Sequence, residues 1–108
     1  MTVTADKQMD RPIHSLVWAT AELVKRVERW GKLEADQPGI MDEPGIKPIV
    51  QVDEEMRLAY MVALRLRAKE VCLYARQCGI RNMTPEQVKA NPFLMACAIE
   101  HHIDTRGG

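Results

Sequence analysis

Apolar and small residues recur at alternating spacings of three and four in two long stretches of this sequence. The first set is Ile13, Leu16, Thr20, Leu23, Val27 and Trp30, and the second is Met61, Leu64, Ala68, Val71, Ala75 and Cys78. This spacing places each set on one face of an α-helix, in which a turn takes 3.6 residues. The pattern predicts two long helices, the first over about 12–33 and the second over about 53–78, and it gives no indication of a sheet.

The segment between these helices, "EADQPGIMDEPGIKPIVQ", contains three prolines and two glycines. Each Pro-Gly pair indicates a turn, because proline presets φ and glycine accepts a positive φ. We expect an ordered arm over 35–52. Its apolar residues Ile40, Ile46 and Ile49 should lie along a surface, either that of the chain's own helices or that of another subunit. Asp53, which is followed by two glutamates, is predicted to be the N-cap of the second helix.

Capping signals divide the C-terminal part of the chain into two short helices. Gly79 is placed to end the second long helix, and Thr84 with Gln87 has the spacing of a capping box. Asn91 and Pro92 start a final helix that should reach about residue 103. Residues 1–10 and 104–108 lack such signals, so we expect a disordered tail and a frayed one. The chain is therefore predicted to be one all-α domain over 1–108, a helical bundle of two long antiparallel helices joined by a Pro/Gly-rich arm, plus a short C-terminal helical pair.

The second long helix carries a further apolar strip, which consists of Val62, Leu66 and Leu73. A chain of 108 residues can scarcely cover both strips. We therefore expect an oligomer, and a dimer first, since symmetric pairs are the commonest assembly. Large aromatics tend to anchor interfaces, and Trp18 stands off the main stripe of its helix. The residues predicted to bind a protein partner are Trp18, Ile40, Ile46, Ile49 and Tyr60.

Fifteen basic and fifteen acidic residues balance over the whole chain but not along it. Residues 34–55 contain seven acidic residues and one basic residue, whereas residues 57–90 contain seven basic and two acidic residues. One interpretation is that the acidic segment neutralises the basic helix of its own or a sister chain. The other is that the basic face stays open to an acidic partner. A nucleic acid would then meet Arg65, Lys69, Arg76 and Arg81.

The stretch "YARQCGIRNMTPEQVKANP" resembles the helix-turn-helix motif of small DNA-binding regulators, with Ala75, Gly79 and Ile80 in matching order. The motif also needs a second helix long enough to lie in the major groove. The predicted helix over 85–90 has fewer than two turns, and Glu86 would face the phosphates. We therefore interpret the stretch as a helix end followed by a connecting helix, and keep a DNA-binding regulator as the alternative.

Few residues form a pattern that supports chemistry. Cys97 and His101 have the i, i+4 spacing that can hold a metal from one helical face, but Cys72 and Cys78 would point roughly 120° apart. Buried structural cysteines are the simpler interpretation, so no cofactor is expected, and a zinc-stabilised domain that uses Cys97 and His101 stays as a third alternative. No nucleophile motif, glycine-rich phosphate loop or metal-spaced set of carboxylates occurs, so we do not expect an enzyme.

The same residues bear on compartment. Three cysteines are too few for a disulfide framework, and the N-terminus has no basic start followed by an apolar run, which predicts a cytoplasmic location. Charged residues interrupt the most apolar stretch, so no membrane partner is expected. Taken together, the sequence predicts a small non-enzymatic helical protein that binds another protein as an oligomer. Its small size alone suggests an accessory or inhibitor protein of a phage or mobile element.

Overall fold

A computed structural model describes residues 4–107, and every regular element within that range is helical. The α-helices are α1 (Ala5–Met9), α2 (Ile13–Asp36), α3 (Lys47–Leu66), α4 (Ala68–Gln77), α5 (Pro85–Ala90) and α6 (Pro92–Gly107). They pack as a bundle, in which α2 contacts α3, α4 and α6. The predicted all-α helical bundle is confirmed. Over the same range, each helix is too short or too polar to traverse a lipid bilayer.

The core forms where α2 meets α3, α4 and α6. Leu16, Val17 and Leu23 of α2 are fully buried, as the three-four spacing predicts. Thr20 sits among them because its hydroxyl donates to the Leu16 carbonyl at 2.7 Å, which satisfies the polar group inside the helix. The core cluster is completed by buried side chains of the later helices: Tyr60, Ala63, Leu64, Ala68, Val71, Ala75, Val88, Ala96 and Ile99.

The arm is shorter than predicted, because α3 begins at Lys47 with Pro48 in its first turn. The predicted arm over 35–52 is therefore wrong at both ends, since α2 also continues to Asp36. What remains is a turn at Gly39, whose φ is +92°, a 3₁₀ helix over Ile40–Asp42, and a second turn over 44–46. Gly45 in this second turn does not adopt the positive φ that its Pro-Gly pair predicted. Glu34 orders this turn by accepting hydrogen bonds from the Gly39 and Met41 amides at 2.8 and 3.1 Å, which lowers the pKa of the Glu34 carboxyl. The 3₁₀ helix packs against α2 and α3 of its own chain.

The predicted single helix over 53–78 is broken at Arg67, which adopts φ −107° and ψ 29° between α3 and α4. The Arg67 side chain, only 10 % exposed, donates to the Met9 carbonyl at 3.1 Å and pairs with Glu70 at 2.6 Å. Backbone hydrogen bonds continue on both sides of the break. Arg67 therefore ties the N-terminal segment to the junction of two helices, a long-range contact that helical periodicity does not encode.

Both chain ends are more regular than predicted. Residues 1–3 of the predicted tail lie outside the described range, but Ala5–Met9 form a helix capped by Thr4 and packed on α3, with Gln8 buried. The frayed end expected over 104–108 is also wrong as far as Gly107, since α6 includes it, while residue 108 lies outside the described range. Arg106 donates to the Cys78 carbonyl at 2.9 Å and so fastens the last turn of α6.

The turn from α4 to α5 follows the sequence signals. Gly79 adopts a φ of +104° and ends α4, as predicted from its place in the sequence. Thr84 and Gln87 form the predicted capping box: the Gln87 amide donates to the Thr84 hydroxyl at 3.2 Å, and the Thr84 amide donates to the Gln87 side chain at 2.9 Å. These caps bring α5 against α4 and leave α6 to cover α2.

Candidate protein-interaction surface

The inner face of α3 is fixed by a polar contact with α2. Asp53, the predicted N-cap, lies inside α3 instead, and its side chain is 7 % exposed. It accepts hydrogen bonds from Arg26 Nη2 at 3.1 Å and from Trp30 Nε1 at 2.9 Å. The N-cap prediction fails because these two donors on α2 satisfy the carboxylate better than a helix end would. Together with buried Tyr60, this contact sets the rotation of α3 about its own axis.

The outer face of α3 exposes three large apolar side chains in a row. Leu58, Val62 and Leu66, here called the outer strip, are spaced by four residues and are 58 %, 41 % and 67 % exposed. Residues four apart project within about 40° of each other, so the three share one helical face. Exposed apolar residues that cluster in this way mark interaction surfaces more often than single ones do. The outer strip is the strongest candidate for a functional site.

Charge is distributed unevenly along the outer strip. Glu54 and Glu55 precede Leu58 by one turn, so the N-terminal end is acidic. At the other end, Leu66 lines a shallow recess with four basic residues, Arg65, Arg67, Lys69 and Lys89. The one acidic residue lining that recess, Glu70, is already paired with Arg67. The outer strip is therefore acidic at one end and basic at the other.

Most of these charges have no ion-pair partner among the residues that the structure describes. The ion pairs within 4.0 Å between described residues are Lys25–Glu22, Arg26–Asp53, Arg57–Glu54 and Arg67–Glu70. The acidic 34–55 segment thus meets the basic 57–90 segment only in the exposed Glu54–Arg57 pair, at 3.9 Å. The expected neutralisation within the chain therefore does not extend to Arg65, Lys69, Arg76 or Arg81, and Glu55 is likewise in none of these pairs.

The basic residues predicted for nucleic acid fall into two neighbouring sites. Lys69, Arg76 and Arg81 line one groove between α4 and the loop before α5, together with Leu73 and Met83. Arg65 stands apart from that groove, because its Nε donates to the Lys89 carbonyl at 2.9 Å and holds α5 against α3. The structure therefore brings together three of the four predicted residues.

The predicted helix-turn-helix order is present, but the second helix is short. α5 has six residues and is separated from α6 by Asn91 alone. Its only cation is Lys89, in the last turn, whereas Glu86 stands in the first turn. A major-groove helix needs base-reading side chains near its N-terminus. The local geometry therefore matches the connecting helix that the sequence favoured.

The five residues predicted to bind protein do not form one surface. Trp18 is 57 % exposed on α2, and Ile49 is 52 % exposed near the start of α3. Ile40 and Ile46 are half-buried in the arm. Tyr60 is only 1 % exposed, so its assignment to a binding surface is wrong: it fills the core, where its ring packs between helices.

Trp18 belongs to a charged face. Residues at four, seven and eleven positions after it are Glu22, Lys25 and Arg29, a spacing that puts all four on one side of α2. The Lys25 ammonium and the Glu22 carboxylate are 3.2 Å apart. Trp18 is therefore an exposed aromatic among solvated ion pairs, unlike the apolar row on α3.

Leu58 was missed as a candidate, although Val62 and Leu66 were recognised as part of a strip that also included Leu73. Leu73 is 56 % exposed but lies on α4, beyond the break at Arg67, where it lines the groove with Lys69 and Arg76. Leu58 lies four residues before Val62, so the i, i+4, i+8 repeat was present in the sequence. The four-residue repeat was overlooked because the three-four alternation of the core residues runs through the same helix. Val52, which is 44 % exposed, extends the apolar surface toward the start of α3.

Cys97 and His101 line a polar cleft between α2 and α6, together with Glu28, Glu100 and Asp104. Within the described part of the chain, no three His, Cys, Asp or Glu side chains are grouped closely enough to hold a metal ion. Burial raises the pKa of the Cys97 and Cys72 thiols, and it also raises the pKa of Glu100, to which nearby Asp104 adds. The three cysteines are free and half-buried.

Comparison with models of known protein families, with curated proteins and with solved structures finds no match to this chain.

Proposed function

We propose that this chain is a non-enzymatic binding module that associates with protein through the outer strip. The observation that carries the proposal is the exposure of Leu58, Val62 and Leu66 on a helix whose opposite face buries Asp53, Tyr60 and Leu64. Fully burying an exposed valine or leucine side chain contributes roughly 1.5–3 kcal/mol. Because these three side chains are 41–67 % exposed, covering each of them contributes about half of that figure. Three in a row therefore provide a substantial driving force for association.

The partner that fits this surface is an amphipathic α-helix. From Leu58 to Leu66 the outer strip is about 12 Å long and one residue wide at each turn, which suits the i, i+4 anchors of a second helix laid beside it. The basic residues around Leu66 favour a partner that carries acidic residues at that end. An accessory or inhibitory role, expected from the size of the chain, would be exercised through this contact.

A matched pair of variants tests the proposal. Leu58→Glu and Leu94→Glu introduce the same charge at leucines that are 58 % and 56 % exposed, but only the first lies on the outer strip. Glutamate is a good helix former, so neither variant should lose its helix. The probe is a labelled synthetic helix with leucines at every fourth position and glutamates at one end, and binding is read from fluorescence anisotropy.

We expect Leu58→Glu to weaken binding of this helix at least about tenfold, because a charge is buried against apolar side chains. Leu94→Glu should bind as the unmodified protein does. Equal affinities for the two variants would contradict the proposal. A probe with lysines in place of its glutamates should bind more weakly than the acidic probe.

The groove lined by Lys69, Arg76 and Arg81 supports a second candidate, a nucleic-acid-binding regulator. None of the residues lining this groove is acidic, so its charge is available to phosphates. Affinity for duplex DNA should then fall steeply as salt rises, and Arg76→Gln should reduce that dependence while Arg29→Gln on α2 should not. We rank this function second because α5 is too short to read bases.

A further inference from the structure

α3 itself has the properties required of the partner helix. It is amphipathic, 20 residues and so about 30 Å long, acidic before Leu58 and basic around Leu66. We propose that the outer strip is covered by α3 of a second copy of this chain, packed antiparallel about a twofold axis at Val62. This inference rests on the proposed function and names the partner.

The residue spacing is symmetric about Val62. In an antiparallel pair centred there, residues at equal distances before and after Val62 face each other across the interface. Leu58 and Leu66 are each four residues from Val62, so Leu58 of one copy meets the partner's Leu66. Glu55 and Lys69 are each seven residues from it, so a carboxylate meets an ammonium twice. One surface thus complements itself in both shape and charge.

Charge selects the antiparallel arrangement. A parallel pair would place Glu54 and Glu55 against their own counterparts and would bring Lys69 against Lys69, both of which are repulsive. The antiparallel pair removes both repulsions. Neither Glu55 nor Lys69 belongs to an ion pair among the residues described, and both are exposed, so they are available to a second chain.

The break at Arg67 leaves Lys69 able to contribute. The Arg67 amide donates to the Ala63 carbonyl at 3.0 Å, and the Val71 amide donates to the Arg67 carbonyl at 3.0 Å. The i to i−4 ladder therefore resumes at once on α4. Lys69 and Leu66 line the same recess, which places the ammonium beside the end of the outer strip.

Charge reversal tests the arrangement on the full chain. Sedimentation equilibrium over a range of concentrations should show a dimer. Glu55→Lys and Lys69→Glu should each weaken dimerisation roughly tenfold, because two exposed pairs become repulsive. The double variant restores opposite charges at both contacts, so it should recover most of the lost dimer affinity. If the two substitutions weakened the dimer through separate structural effects, their losses would add instead. Lys32→Glu, a reversal at an exposed lysine of α2 that belongs to no ion pair among the residues described, is the matched control and should leave the mass unchanged.

A cysteine at the twofold axis gives an independent readout. Val62→Cys should form a disulfide between two copies under mild oxidation, whereas Leu94→Cys, at a leucine of similar exposure to the outer strip, should not. The chain also has three free native cysteines, Cys72, Cys78 and Cys97, which can be oxidised as well. Peptide mapping by mass spectrometry then assigns the crosslink.

The outcomes separate this inference from the proposed function. A dimer that the single reversals weaken and the double variant restores supports it. A monomer at every concentration that still binds the helical probe overturns the second copy as partner and leaves the proposed function standing. A dimer whose dissociation constant is unchanged by Leu58→Glu and by both charge reversals also overturns the inference. A monomer that does not bind the helical probe overturns both the inference and the proposed function.

Discussion

The two faces of α3 carry similar apolar side chains, but one face is buried and the other is exposed. On the inner face Tyr60 and Leu64 are fully buried, and Asp53 is held by Arg26 and Trp30 of α2. On the outer face Leu58 and Leu66 remain more than half exposed. An apolar pattern thus shows which faces of a helix favour burial against other residues. The rest of the chain decides which face is buried, and the other face stays exposed.

The sharpest way to test this contrast is the same substitution on both faces. Leu64→Ala should destabilise the fold by about 2–5 kcal/mol, because it leaves a cavity in a core that cannot collapse fully. Leu58→Ala should cost under about 1 kcal/mol, since its side chain is already in water. Urea unfolding followed by circular dichroism at low protein concentration measures both.

Protein concentration serves as the control for that pair. If the outer strip is an interface, Leu58→Ala should become more costly as concentration rises, because unfolding is then linked to dissociation. Leu64→Ala should keep its large effect at every concentration. Equal costs for the two variants at low concentration would remove the distinction between the faces.

The polar contact that orients α3 should have the next largest effect. Asp53→Ala should destabilise the fold by about 1–3 kcal/mol, because the Trp30 indole N–H and the Arg26 guanidinium lose their acceptor in a partly buried site. Glu54→Ala is the matched control. Its carboxylate is exposed and 3.9 Å from Arg57, so its removal should change stability by no more than about 0.5 kcal/mol. The urea midpoints of the two variants give the comparison.

A cost for Asp53→Ala as small as that of Glu54→Ala would mean that apolar packing alone sets the rotation of α3. Trp30 fluorescence offers a second check, because loss of the indole hydrogen bond should change its emission while the fold remains intact.

Local signals in the sequence were sufficient for the fold class and for the C-terminal caps. Periodicity predicted the all-α class and α2 but missed α1 and the break at Arg67 that separates α3 from α4, whereas Gly79, Thr84 and Gln87 predicted how α4 ends and α5 begins. Each of these signals acts over a few residues, so no tertiary information is needed to interpret it. The same reasoning anticipated the uncovered strip through Val62 and Leu66, and with it the expectation of self-association.

Contacts between distant residues account for the failures. Asp53 looks like an N-cap because two glutamates follow it, but its partners lie 23 and 27 residues away on α2. Arg67 breaks the helix where its side chain reaches a carbonyl 58 residues earlier. Tyr60 was assigned to a surface because aromatic residues suit interfaces and cores equally well. Propensity cannot decide such cases, because tertiary packing outweighs it.

The smallest effect is expected at Trp18, which tests whether the contrast between the faces of α3 extends to α2. Trp18 is as exposed as Leu58, at 57 % against 58 %, but its helical face carries Glu22, Lys25 and Arg29. Trp18→Ala should therefore change the free energy of unfolding by no more than about 0.5 kcal/mol and leave the solution mass unaltered. Light scattering and urea unfolding of this variant beside Leu58→Glu measure both quantities. A fall in mass for Trp18→Ala with the fold intact would extend the self-association surface to α2. An exposed aromatic side chain surrounded by charged residues could then no longer be assumed to lie outside an interface.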